Sequence, residues 1–400
     1  MLLMNRKHCG KRHGGIAVMT CLLLPLILGM VAFAVDMSWL VLTRSELQNA
    51  ADSAALAGAC RLGDNYVLFS LPTQTPANKT TLISNAVSTA KSAAKAYAAA
   101  NAAGGVTSLT LLDSDIDVGY TDSAGVYTSN SANAKLYPNT IKVTMRRDGT
   151  ANTSLNMFFA PAIGVPTLDV QAKTAAMAYG GIVDSFNTNG PYAAGMLPIT
   201  YDFNNWNTFI QTGKDPDGNI TLDSSGNPQI QIYPSVSAPG NFGWISLDDS
   251  HVGANTMRSW ITDGPSNSDI QALVDNKLIP LSSHNAKSWD WQGDTGFKAS
   301  DVKTINNYIG KTYIIPLFTP YNSDPANYSA GTGQGANYFY NVVSFVGVTI
   351  MQPSDRNRQV VVQPAPITDP TMVLNRSSIA PLSASGNSSV TALAAPKLVN

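Results

Sequence analysis

The first feature that limits how this chain can fold is a run without formal charge, from Gly14 to Val35. As a helix rising ~1.5 Å per residue, this run is about 33 Å long, which is enough to cross a hydrocarbon core of about 30 Å. Pro25 and Gly29 lie inside it, and both residue types are tolerated in membrane helices. The sequence therefore predicts one transmembrane helix, with membrane lipid as a partner.

The charges on either side of the run predict its orientation. Four basic residues precede it, namely Arg6, Lys7, Lys11 and Arg12. Arg44 follows it and is surrounded by acids at Asp36, Glu46 and Asp52. The positive-inside rule then places residues 1–13 in the cytoplasm as a basic leader and residues beyond Asp36 in the periplasm or outside the cell. We expect an inner (cytoplasmic) membrane protein.

A secretory signal peptide is the alternative, because Ala32-Phe33-Ala34 resembles a cleavage site. The apolar run is longer than an ordinary signal core of about 7–15 residues, which favours an anchor that stays attached. Cleavage stays open at this point.

Beyond Val35 the helical pattern continues, but with small residues on one face and polar residues on the other. The apolar face contains Leu40, Leu47, Ala51, Ala54 and Gly58. Small residues allow two helix backbones to approach closely. We therefore expect helix packing at Asp36, Leu47, Ala51, Ala54 and Gly58. The partner would be a helix predicted over 80–103 or another subunit, and a solvated alanine run is the alternative.

Asp36 has two open interpretations. An acid within a membrane helix often contacts a partner helix. At the outer end of a span it can instead be hydrated by lipid headgroups.

The run AFAVDMSWLVLTRSELQNAADSAALAGA, residues 32–59, resembles the N-terminal module of the TadG-like proteins of tight-adherence (Flp) pilus systems. In that module an apolar span ends in an Ala-Val-Asp step and is followed by an "LQNAADAAALAGA"-type helix. The resemblance covers roughly the first sixty residues and implies an envelope protein of a bacterial surface appendage. TadG-like proteins often carry a von Willebrand A-type domain with a DxSxS metal motif, which this sequence lacks, so the resemblance implies no metal-dependent adhesion here.

The remaining pattern predicts an α+β protein with a strand-rich, mixed ectodomain. Residues 14–60 form the membrane and amphipathic helix, 61–180 a small α+β unit that starts with a linker, and 181–365 a β-rich unit. The Pro-, Ser- and Ala-rich segment 366–400 is expected to be a flexible tail. On the 80–103 helix one face is predicted to contain Leu82, Ala86, Ala93, Tyr97 and Ala100. The run 339–351 has apolar residues on both sides, which predicts a strand buried on both faces.

Composition and motifs argue against several function classes. Net charge is −1 and charged residues are 13%, so no nucleic-acid partner is expected. Cys9, Cys21 and Cys60 lie before, within and after the span, which gives no disulfide framework and no metal pair.

The sequence patterns in the distal part that resemble ligand sites are incomplete. Asp248-Asp249-x-His251 is more typical of a polar turn than of a metal site, and the acidic turns at 215–219 and 223–227 fail the EF-hand pattern. The loop around Trp289 and Trp291 is expected to cover a core rather than to bind a sugar. There is no GxSxG, Walker or HExxH motif. We predict no catalytic residue, cofactor, metal or small-molecule substrate.

The sequence thus predicts a single-pass envelope protein that serves assembly or anchoring of a tight-adherence pilus. It would act by binding other pilus-assembly membrane proteins. The alternative is a membrane-tethered exported enzyme or carbohydrate-binding protein.

Overall fold

The computed structural model describes residues 15–131, 133, 135–191, 193–234, 242–248, 253–276, 279, 290–294, 299–319, 338–387 and 389–399. The basic leader 1–13, His251 and Trp289 lie outside these ranges.

The helices of the described residues, in chain order, are α1 Gly15–Leu62, α2 Tyr66–Ser70, α3 Pro76–Ala99, α4 Phe203–Thr212, α5 Ala254–Asp263, α6 Asn267–Asp275 and α7 Ala299–Ile305. The strands are β1 Ile116–Thr121, β2 Tyr127–Ser129, β3 Thr140–Arg147, β4 Leu155–Asn156, β5 Thr167–Leu168, β6 Val170–Gly181, β7 Val183–Phe186, β8 Ile199–Asp202, β9 Thr221–Leu222, β10 Pro228–Tyr233, β11 Phe242–Ile245, β12 Asp290–Asp294, β13 Thr312–Thr319, β14 Tyr338–Met351, β15 Val360–Pro364, β16 Met372–Leu374, β17 Ala380–Pro381 and β18 Ala392–Val399. The α+β class predicted from the sequence is confirmed.

The membrane-proximal unit packs two helices on an antiparallel sheet. Its strand order is β17–β6–β3–β1–β2, and β18 also pairs with β6. The second half of α1 lies with α3 on one face of this sheet. Apolar side chains of β3, such as Ile141 and Val143, fill the space between the helices and the sheet. Burying them is the main stabilising term for this unit.

Helix α3 begins where the sequence provides a cap. The Thr75 hydroxyl accepts a hydrogen bond from the Asn78 backbone N–H (3.1 Å), and Pro76 occupies the first turn, where its missing N–H costs nothing. The helix buries Leu82, Ile83, Ala86, Ala90, Ala94 and Ala98. The predicted face was therefore wrong beyond Ala86, because the buried positions repeat every four residues and Tyr97 is exposed.

A larger sheet forms the distal unit. Its strand order is β12–β11–β8–β13–β14–β15–β10–β9, and its pairs are antiparallel except for β8 with β13. In β14, the successive residues Phe345 and Val346 are both buried, so this strand is covered on both faces as predicted. Large side chains fill this core, including Trp244, Trp260 and Trp291.

The C-terminal segment corrects the prediction of a flexible tail over 366–400. Strand β16 pairs with β7, while β17 and β18 pair with β6 of the first sheet. Leu382 and Leu393 are buried in the membrane-proximal core. Pro, Ser and Ala predict disorder only when no apolar surface is buried, and here the apolar residues between them are. The first unit thus includes residues far beyond position 180.

The predicted linker 61–79 is also structured. Helix α2 buries Tyr66, Val67 and Phe69, and Leu68 contacts both hydrophobic cores. Two further hydrogen bonds join this segment to the distal unit: Gln74 Nε2 donates to Asn227 Oδ1, and Asn78 Nδ2 donates to the Gly226 carbonyl, both at 2.9 Å. The segment therefore connects the two units through packing and not as a flexible tether.

Two alanines of α3 test its close packing against α1. Ala94 is fully buried, whereas Ala96 on the same helix is exposed. We expect Ala94→Leu to lower the free energy of unfolding by about 1–3 kcal/mol through overpacking, while Ala96→Leu leaves it nearly unchanged. Urea unfolding of the detergent-solubilised chain, followed by tryptophan fluorescence, measures the difference. Equal midpoints for the two variants would contradict the packing described here.

Candidate functional site

The exposed half of α1 is the most conspicuous surface of the molecule. From Val18 to Val31 every residue is exposed, although the stretch is apolar. By length and composition this is a helix that could cross a membrane. Burial begins at Ala32, one turn before Asp36. The candidate functional site is the junction that follows, where the exposed helix enters the folded unit.

Asp36 binds a loop of its own chain at this junction. Its carboxylate is buried, with 4% of the residue exposed, and accepts hydrogen bonds from three successive backbone N–H groups. The distances are 2.8 Å from Phe158 N, 3.1 Å from Phe159 N and 2.6 Å from Ala160 N. Neither of the two interpretations left open by the sequence describes this contact, because the carboxylate is buried and the group it faces is a loop and not a helix.

Trp39 makes the second contact between α1 and the same loop. Its indole Nε1 donates to the Asn156 carbonyl (3.2 Å), and its ring centroid lies 5.7 Å from that of Phe158. Asp36 and Trp39 are three residues apart, so they lie on one face of the helix. Together they join α1 to the segment between β4 and β5.

A third attachment uses Glu46 and Arg147. Glu46 Oε2 accepts from the Gly104 N–H at 2.7 Å. The buried guanidinium of Arg147 donates to the carbonyls of Ala103 and Gly104 on one side and of Asn152 and Thr153 on the other. Burial lowers the pKa of Arg147, and the nearby Glu46 charge partly offsets this effect. These bonds fix the loop after α3 against both α1 and β3.

The small residues of α1 lie where the sheet and α3 meet. Leu47, Ala51 and Ala54 are fully buried. At Gly58, an added Cβ would lie 2.5 Å from Ile141 Cδ1 and 3.1 Å from the Ala90 carbonyl oxygen. The structure thus places α3 of the same chain, together with β3, against this position. It brings Leu47, Ala51, Ala54 and Gly58 into one core, and leaves Asp36 at the membrane end of the helix.

Among the described residues no group of three or more His, Cys, Asp or Glu side chains could hold a metal ion. Both acidic turns are closed by their own carboxylates: Asp215 Oδ1 accepts from the N–H groups of 217 and 219, and Asp223 Oδ1 from those of 225 and 227. This arrangement is typical of Asx turns. The motif around Asp249 and His251 lies outside the described residues.

An open cleft of about 650 Å³ lies beside α1 and the first sheet. Most of its charged side chains interact within the protein. Asp115 is paired with Arg146, Asp117 accepts from the Ser129 hydroxyl (2.6 Å), and the Lys142 ammonium lies 3.7 Å from the centroid of the Tyr127 ring. The cleft is therefore lined by polar groups that support the fold.

Comparison with protein families then shows two matches. Residues 14–61 match the family "Putative Flp pilus-assembly TadE/G-like", and residues 73–176 match "Putative Tad-like Flp pilus-assembly". Both matches support a TadG-like Flp pilus-assembly protein. This confirms the resemblance predicted from residues 32–59. No curated protein and no solved structure matches the chain.

The two matches coincide with structural elements of this TadG-like chain. The first covers nearly all of α1, and the second runs from the start of α3 into β6. The loop that binds Asp36 therefore belongs to the second module, while Asp36 belongs to the first. Sequence reasoning missed this loop, although its signal was present: Met157–Leu168 contains no charge.

The Asp36 site predicts a specific change in hydrogen exchange. In Asp36→Ala the three N–H donors lose their acceptor, which costs about 1–3 kcal/mol for each donor left buried. We expect the amides of 158–160 to exchange about tenfold faster or more. Exchange measured by mass spectrometry on peptides covering 155–168, in detergent micelles, gives the rate.

Asp52→Ala is the matched control, because Asp52 lies on the same helix but accepts only from the Gln48 side chain in the described contacts. It should leave the 155–168 peptides unchanged. Parent-like exchange in Asp36→Ala would show that the carboxylate does not hold this loop.

Proposed function

We propose that this chain is a single-pass inner-membrane protein that holds its folded units outside the cytoplasm and serves assembly or anchoring of a tight-adherence (Flp) pilus. It acts by binding and not by catalysis. Its partners are the lipid bilayer and other pilus-assembly membrane proteins.

One observation carries this proposal. Helix α1 is a single element whose first part exposes apolar side chains and whose second part is the centre of a folded core. The two parts belong to one continuous helix. A membrane anchor built this way transmits the position and tilt of its span to the ectodomain, as a structural component of an envelope machine requires. The two family matches support the pilus-assembly context.

The binding role is supported by how the polar and aromatic groups are used. The described tryptophans of the distal unit, Trp206, Trp244, Trp260 and Trp291, are buried in its core. They do not form an exposed platform of the kind that stacks on sugars. Most of the charged side chains that line the cleft beside α1 interact with other groups of the protein. No observation among the described residues favours the alternative of a tethered enzyme or carbohydrate-binding protein.

The proposed orientation predicts which cysteine reacts with a membrane-impermeant maleimide. In intact spheroplasts we expect Cys60 to be labelled in a variant that retains only this cysteine, and Cys9 to be protected in the matching Cys9-only variant. Partial burial raises the pKa of the Cys60 thiol; Arg61 opposes and Asp64 adds to this shift. The thiolate fraction at neutral pH is therefore reduced, and labelling should accelerate as pH rises toward the raised pKa.

Permeabilised spheroplasts are the control, since both variants should then react. Labelling of Cys9 with protection of Cys60 in intact spheroplasts would reverse the proposed topology. The mass of the mature chain tests retention of the span, because cleavage after Ala34 would remove the first 34 residues.

The proposed role in pilus assembly is tested by complementation in the native host. Deletion of the gene should reduce the number of surface pili, and the full chain should restore it. An ectodomain secreted with a cleavable signal in place of residues 1–42 should not, because it lacks the anchor. Pili are counted by electron microscopy at matched protein abundance. A normal count in the deletion strain would refute the role.

A further inference from the structure

The loop bound by Asp36 is the tip of a short hairpin. Strands β4 and β5 pair antiparallel, with Leu155 opposite Leu168 and Asn156 opposite Thr167. Between them the sequence is MFFAPAIGVP, which has no charged residue. A 310 turn over Ala160–Ile163 shapes the tip, and Gly164 ends it in the left-handed conformation (φ 89°). We call residues 157–166 the apolar tip.

The apolar tip exposes large side chains. Phe158 is 62% exposed and Ile163 81% exposed, and Phe159 and Val165 are exposed as well. Elsewhere among the described residues beyond α1, exposed large apolar side chains are scattered, as at Tyr97, Val126 and Val373. A concentration of this kind, without charges, marks a surface that contacts something other than water.

The apolar tip lies at the end of the apolar span. The Asp36 side chain, like every helical side chain, tilts toward the helix N-terminus and hence toward the span. Its three bonds therefore hold the tip at the level of the last turn of the span, where Ala32 becomes half-buried. On the remaining faces of α1 the exposed apolar surface continues through Met37, Val41 and Leu42.

The first charge after Asp36 is Arg44. Residues 14–43 would form about 45 Å of helix, longer than a hydrocarbon core of about 30 Å, so the excess reaches into the interface. Because the carboxylate of Asp36 is buried under the tip, α1 and the apolar tip together present an uncharged surface at this level. Trp39, an aromatic residue of the type enriched at membrane interfaces, lies between them.

Seven of the eight backbone N–H groups of the apolar tip donate hydrogen bonds within the protein. Besides the three N–H groups bound by Asp36, Met157 N donates to the Pro166 carbonyl, Ala162 N to Phe159, Gly164 N to Pro161 and Val165 N to Ala160, each at 3.0 Å. Pro161 and Pro166 have no N–H to satisfy. Non-helical backbone is costly near lipid because unpaired N–H groups lose water. The paired N–H groups of this tip avoid that cost.

We propose that the apolar tip is inserted into the lipid of the leaflet into which α1 emerges, as a second membrane contact of the ectodomain. Lipid is the occupant because the tip is continuous with the exposed apolar surface of α1, has no charge, and has seven of its eight backbone N–H groups paired. A span alone lets a protein rotate about the helix axis and tilt. With a second contact to the side of the helix, the folded units take one orientation above the membrane.

Depth-dependent fluorescence quenching tests this proposal on the full chain. The native cysteines are first removed by Cys9→Ser, Cys21→Ala and Cys60→Ser. The variant Ile163→Cys in this background is then labelled at its single cysteine with an environment-sensitive nitrobenzoxadiazole dye. The protein is reconstituted at high dilution into vesicles of phosphatidylethanolamine and phosphatidylglycerol. We expect blue-shifted emission, several-fold stronger quenching by lipid spin-labelled near the headgroup than by unlabelled lipid, and protection from aqueous iodide.

Val126→Cys is the matched control, since Val126 is 60% exposed on a β-turn of the same unit and next to a glycine. Its label should be quenched by iodide and not by lipid. A second label at Phe159→Cys should repeat the Ile163 result, and unchanged thermal unfolding shows that each labelled variant is folded.

Two outcomes would overturn the proposal. Iodide quenching at Ile163 equal to that at Val126 would place the tip in water. A blue shift without quenching by spin-labelled lipid would place it against protein, in a self-associated form or a partner complex.

Discussion

The whole structure depends on helix α1, whose first half must suit lipid and whose second half must suit a protein core. Over its first half α1 exposes Leu, Ile, Val and Phe, which a bilayer can solvate, and over its second half it buries Leu47 and a series of small residues in a protein core. The change takes place within about three turns, between Ala32 and Thr43. Since a helix satisfies its own backbone, it can pass from lipid to protein without a break. The side chains alone must change, and Asp36, Trp39 and Glu46 are the polar groups placed at that change.

The small residues explain how the second half of α1 can lie so close to its neighbours. A stripe of alanines buries little apolar area for each residue, so its contribution comes from close backbone approach and from the larger side chains that this approach brings into contact. Gly58 shows the effect most clearly, because the space a Cβ would occupy is taken by Ile141. The alanines of α1 and α3 thus allow the β3 and β6 side chains to fill the core between helix and sheet.

Much of this could be predicted from the sequence, and the failures have physical reasons. The span follows from the length of the uncharged run, and α3 follows from its helix cap. Strands such as β14 follow from apolar residues on both sides of the run. The buried face of α3 could not be fixed, because alanines at 86, 90, 93, 94, 98 and 100 offer several equally apolar registers. The role of Asp36 could not be found either. Its carboxylate oxygens accept hydrogen bonds from backbone N–H groups more than a hundred positions away, and every residue type except proline has such a donor. The prediction of a flexible tail over 366–400 was wrong because composition does not show that one edge of β6 is free to pair with strands of this segment.

That free edge has a consequence for the order in which the protein can be completed. Helices α1 and α3 and strands β1, β3 and β6 leave the ribosome early, while β18 follows about two hundred positions later. In the interval, β6 presents unpaired backbone groups on one side, and such an edge readily pairs with strands of other chains. The distal unit is synthesised during this time. Synthesis that stalls inside the distal unit would therefore leave the membrane-proximal sheet open, so the last strand to be made also closes the first sheet to form.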